Sequence, residues 1–165
     1  MTNGENPTVT RLMRRGTVHF FAYGLDLEVA EENVPRDAAT LRYHRLALVR
    51  RLATDEPVLT VVPDPEHTVP GVVLRLDADD LSRVSAVSFT ADVHQLQRVV
   101  VWLSGDRVLL AQAHRTCGPI VDAAPCPATT ARLRGLYRRH GVSPWALDHA
   151  LAAGVGDANR QEGLR

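Results

Sequence analysis

Apolar positions along this chain come in short bursts separated by turn residues. From Thr17 to Tyr23 the chain is β-rich and aromatic, and it meets Gly24 at once, which predicts a strand running into a glycine turn. Leu27 to Asn33 predicts a short helix, with Asp26 as its N-cap, Glu28 in the first turn and Pro35 as its stop. Leu41 to Arg50 alternates in part and suits a second strand, and Val58 to Val62 suits a third. Pro63, Asp64 and Pro65 form a turn, and Val69 to Leu76 predicts a fourth strand whose Pro70 favours an edge or a bulge. Asp77 caps a helix in which Asp79 and Asp80 oppose the positive end. Leu96 to Leu103 and Arg107 to His114 form a hairpin about Ser104-Gly105-Asp106. The chain ends in helices: Thr130 to His140, stopped by Gly141, then Trp145 to Ala153, opened by Ser143-Pro144 and closed by Gly154. Leu133, Leu136, Tyr137 and Trp145 fall at helical spacing and are expected in the core, whereas Arg134, Arg138 and Arg139 form a solvated face.

Length changes this picture little. At 165 residues the chain makes one domain, 17–154, between a loose N-terminal arm, 1–16, and a polar tail, 155–165. Charge excludes more. The formal net charge is zero, which argues against a general nucleic-acid or anionic-membrane binder. All 19 basic residues are arginine, so no lysine can form a Schiff base or act as a general base. No apolar run has the length of a signal peptide or a membrane span, and a cytoplasmic location is expected. Cys117, Cys126 and His114 make a His-x2-Cys-x8-Cys pattern without a convincing fourth ligand, so free thiols are expected there, and neither a metal nor a cofactor.

The segment His19-Phe20-Phe21-Ala22-Tyr23-Gly24-Leu25-Asp26-Leu27 resembles the opening signature of the γ-glutamylcyclotransferase-like family, Tyr-Phe-Ala-Tyr-Gly-Ser-Asn-Leu. Ala38 to Leu48 is similar to that family's second strand. Val69 to Leu76 followed by Asp77, Asp79, Asp80 and Leu81 is similar to its Val-x-Gly-Val-Leu-Tyr-x-Leu strand and acidic helix start. Arg98 to Val101 resembles its late Tyr-x-Arg-x-x-Val strand, and Gly141 to Pro144 its Gly-Leu-Pro entry to a last helix. The resemblance implies an α+β fold, a small mixed β-barrel flanked by helices, with a pocket at the end of the first strand. It also implies a reaction in which an α-amine attacks its own γ-glutamyl amide and releases a lactam and a free amine.

The likeness breaks at the chemistry. Leu25 stands where the family has Ser, and Asp26 where it has Asn. The family glutamate that serves as general acid/base has no clear counterpart. Counting from the preceding helix puts Ser88 in its place, and counting back from Arg98 puts Asp92 there. Asp92 is therefore the candidate acid/base, with Tyr23 and His94 as supporting groups. Gly24, Leu25, Asp26, Phe21 and His19 are the candidate substrate contacts, with backbone N–H groups of residues 24–26 polarising a carbonyl. Arg98 is expected to pair with a buried acid. The function expected is cofactor-free cyclisation of a small molecule in specialised metabolism, by a monomer or homodimer. The rivals are a non-catalytic small-molecule-binding protein on the same fold and a hydrolase using Asp92 and His94.

Overall fold

The computed structural model describes residues 16–30, 35–51, 57–87, 94–116 and 120–162. The strands are β1 (Val18–Ala22), β2 (Arg36–Arg51), β3 (Val58–Leu76), β4 (His94–Leu103), β5 (Val108–Thr116) and β6 (Ile120–Asp122). They are joined in the order β3-β1-β5-β4-β2-β6, and β2 also pairs with β3. That last pairing closes a five-stranded barrel and leaves β6 outside it. β1 and β5 run parallel; the other neighbours are antiparallel. Helices α1 (Ala78–Val87), α2 (Pro127–Arg139) and α3 (Trp145–Glu162) flank the barrel, and a 3-10 helix, Gly24–Val29, follows β1. The α+β barrel expected from the sequence is the fold observed.

Successive residues of a strand point to opposite faces, so a strand with consecutive buried residues is covered on both. Phe20, Phe21 and Ala22 of β1 are all fully buried. α1 packs on β1 and β3, and α2 packs on the 3-10 helix. The bend after β1 is thus set between the barrel and α2.

Several expected boundaries move. The third and fourth strands are one strand, β3. The turn expected at Pro63–Pro65 survives inside it as an irregularity, because pairing with β2 skips from His44↔Pro63 to Arg42↔Thr68. Asp64 holds that bulge, accepting the Glu66 N–H at 3.0 Å. Pro70 pairs with Thr40 of β2 and lies before β1 pairing begins at Val72, where a missing N–H breaks no second ladder. Helix α2 starts at Pro127, three residues earlier than expected, with Cys126 as N-cap and Pro at N1. Helix α3 does not stop at Gly154 but runs to Glu162. A Cβ on Gly154 would sit 2.4 Å from the Ala123 carbonyl oxygen, so this glycine serves helix–loop contact, not termination. Trp145, expected in the core, is 46% exposed at the first turn of α3. Arg98 is exposed, and no acid among the described residues is buried.

Candidate active site

The site is built at the end of β1. Tyr23 is still extended, at φ −144 and ψ 165, and Gly24 then takes φ +57, the left-handed region that glycine enters without penalty. A Cβ at residue 24 would lie 3.0 Å from Leu59 Cδ2. The chain turns directly into the 3-10 helix, so Asp26 falls in its first turn; the expected N-cap role passes to Tyr23, whose side chain makes no capping bond. The 3-10 helix also replaces the longer helix expected from Leu27, and residues 31–34 lie outside the described set.

Freed from capping, the Asp26 carboxylate meets His114 of β5. Nδ1 of His114 lies 3.0 Å from each Asp26 oxygen. A carboxylate only accepts, so Nδ1 carries the proton of this bond. Both groups are sheltered, with 4% of the His114 side chain and 12% of the Asp26 side chain exposed. Phe20 packs edge-on against the imidazole at 5.3 Å. The Tyr23 hydroxyl donates to the His114 carbonyl, which ties the strand end to β5. Burial, and then the Asp26 charge, push the Tyr23 phenol far above its usual pKa, so it acts as a neutral, fixed donor and not as a base. Burial raises the Tyr137 phenol as well.

The backbone donors of the bend are largely committed. Gly24 N–H donates to the Tyr137 hydroxyl at 3.4 Å, and Asp26 N–H donates to the Tyr23 carbonyl at 3.1 Å. The expected cradle of three N–H groups is therefore reduced to that of Leu25. Leu25 itself is 43% exposed and forms the outer face of the bend.

No family model and no curated protein matches the sequence. Solved structures do match. A human protein described as uncharacterised superposes with a TM-score of 0.68 at 16% identity, covering 83% of this chain and 87% of that one. A γ-glutamyl cyclotransferase superposes with a TM-score of 0.65 at 15% identity, covering 82% and 85%. A yeast γ-glutamyl cyclotransferase specific to glutathione gives 0.55 at 17% identity, covering 88% and 97%. The chain has the γ-glutamylcyclotransferase-like fold.

Within this γ-glutamylcyclotransferase-like barrel the sequence-derived candidates are spread unevenly. Tyr23, Gly24, Leu25 and Asp26 come together at the bend. Phe21 is fully buried beneath it, and His19 is half-buried farther up β1, opposite Arg75. His94 opens β4 opposite Thr116, and Leu96, two residues on, pairs with His114, so β4 enters beside the Asp26–His114 pair. Asp92 and Ser88 lie outside the described residues, as does Cys117. Among the described residues no cluster of three His, Cys, Asp or Glu side chains is placed to hold a metal. No described helix is long and apolar enough to cross a membrane.

From the sequence His114 is weighed only as part of the His-x2-Cys-x8-Cys pattern, and its place beside Asp26 is missed. On β5 it follows the row Val108, Leu110 and Gln112, whose first two members are exposed, so its parity marks an outward polar position. Asp26, 88 residues away in sequence, and Phe20 both pack against its ring. Nothing local in the sequence signals those contacts.

Proposed function

We propose that this protein is a divergent γ-glutamylcyclotransferase-like enzyme that frees an amine from a small-molecule amide by closing a lactam, without a cofactor. The observation that carries this reading is the Asp26 carboxylate, held by buried His114 at the bend after β1. The fold it shares with γ-glutamyl cyclotransferases supports the reading.

A negative side chain at this point repels a substrate α-carboxylate and attracts an ammonium group. Leu25 adds apolar surface beside it. The reading therefore favours 4-aminobutyryl amides, which lack the α-carboxylate, over γ-glutamyl amides. In the proposed step the substrate ammonium gives one proton to solvent, and the free amine so formed attacks the amide carbon and loses a second proton. The new C–N bond closes the five-membered ring, and the old C–N bond breaks. The departing nitrogen takes up the proton and leaves as the free amine. Asp92 is the proposed proton carrier, with His94 beside it. Asp26 orients the ammonium before attack. The Leu25 N–H polarises the amide carbonyl, and Tyr23 keeps the bend in place. A tailoring step in specialised metabolism is the proposed setting.

The test is mass spectrometry of 4-aminobutyryl and γ-glutamyl amides incubated with the purified protein. Release of pyrrolidinone or 5-oxoproline with the amine supports cyclisation; a linear acid supports the hydrolase that uses Asp92 and His94. A specific observation favours a second reading, a non-catalytic small-molecule-binding protein: two N–H groups of the bend are bonded within the chain and Tyr23 is only 2% exposed. Saturable binding with no product supports that one.

A further inference from the structure

A cleft opens between the β2–β4 seam and the connection from α2 to α3, with a volume of about 350 Å3. It shares no lining residue with the bend, and its size is that of a small-molecule site. Its walls include the apolar residues Pro70, Val72, Leu103 and Val142. Among the described residues Arg42 and His140 are its titratable lining groups, and no described carboxylate lines it.

Both titratable groups are prepared as donors. The Arg42 guanidinium lies 4.8 Å from the Trp102 ring centroid, and Tyr43 meets the same indole edge-on at 6.2 Å. This cation–π contact holds the guanidinium over the indole, and a guanidinium has five N–H donors to offer an acceptor. Asp106 approaches Arg42 at 3.7 Å, but the Asp106 side chain is 95% exposed, so water screens the pair and a ligand carboxylate can replace it. Nδ1 of His140 lies 3.0 Å from Arg36 Nη1. Guanidinium has no acceptor, so Nδ1 accepts and the ring proton of neutral His140 resides on Nε2, a second donor. Burial, and then the Arg36 and Arg139 charges, lower the His140 pKa, which keeps this tautomer at neutral pH.

We propose that this cleft is a second small-molecule site, selective for a small carboxylate with an apolar body, and that Arg42 anchors the carboxylate. The apolar body rests on Pro70 and Val142. The site is independent of the chemistry at the bend, since the two have no residue in common.

Benzoate and benzamidine are matched probes, nearly equal in shape and opposite in charge. Isothermal titration of the full chain should give saturable 1:1 binding of benzoate with a Kd of about 1 mM or tighter, consistent with nine non-hydrogen atoms, and none of benzamidine. Arg42→Gln should weaken benzoate about tenfold or more, and Arg42→Lys should recover only part of it, because a point charge does not replace the fork. His140→Gln should weaken it less. Amide shifts on adding benzoate should fall on Leu103 to Asp106 and Gly141 to Ser143. Equal binding of the two probes, no saturable benzoate binding, or unchanged affinity in Arg42→Gln with an unchanged melting temperature would each overturn the proposal.

Discussion

His114 Nδ1 stands 3.0 Å from both carboxylate oxygens of Asp26, and this contact fixes the end of the first strand to the parallel strand beside it. A shared bond of this kind, sheltered from water, stabilises when intact and costs much when one partner is lost. His114→Leu should lower the unfolding free energy by about 1–3 kcal/mol, and so should Asp26→Ala. The double variant should lose less than the sum, with a coupling of about 0.5–3 kcal/mol in urea denaturation. Strict additivity would mean that the contact contributes nothing.

Two glycines should respond with opposite signs. A Cβ at Gly71 would lie 2.6 Å from the Ala22 carbonyl oxygen and 2.7 Å from the Phe21 ring, so Gly71→Ala forces β3 away from β1 and should cost about 1–3 kcal/mol. Gly135 lies within α2 with nothing within 4 Å of an added Cβ. Gly135→Ala should therefore stabilise by about 1 kcal/mol through helix propensity. Thermal melts of the pair check both signs.

His140 should titrate below the usual histidine range of about 6.5. Because its folded pKa is depressed, the unfolded chain binds more protons as pH falls through that range. This group's contribution to stability is thus present above about pH 6.5 and is lost toward the lower folded pKa. In Arg36→Gln one of the opposing charges is gone, and the midpoint should rise. NMR of the imidazole C–H signals reads this directly, and an unmoved midpoint would count against the role given to Arg36.

Cys126 is exposed at the N-cap of α2, and backbone N–H groups of Thr129, then Ala128, hold its thiol below the usual cysteine pKa. In a Cys117→Ser background it should react with iodoacetamide at pH 7 faster than an unperturbed thiol does. A pH–rate midpoint at the free-cysteine value would contradict the influence of those N–H groups.

The barrel could be read from the sequence because its parts carry local signals. The aromatic run into Gly24, the hairpin at Ser104-Gly105-Asp106 and the Gly141 stop with φ +64 each follow from short-range sterics. β6 could not be read, since its three residues gain strand geometry only by pairing with Val49, Arg50 and Arg51. Gly154 misled because its reason is a tertiary approach to Ala123 and not a helix end. At the site, the bend and Asp26 were legible, but the pairing with His114 was not. Asp is a favoured cap, so its capping role was the local optimum, and a long-range contact displaced it. Tyr137 was recognised as core; that its hydroxyl receives the Gly24 N–H depends on where α2 docks.

Cyclisation at the bend is tested by the rate of lactam release from a 4-aminobutyryl amide by wild type, Asp26→Asn and Asp92→Asn. Wild type should release lactam, Asp26→Asn should raise KM about tenfold, and Asp92→Asn should lower kcat about a hundredfold or more. Wild type that releases no lactam, or an Asp26→Asn variant with unchanged KM, would contradict that reading.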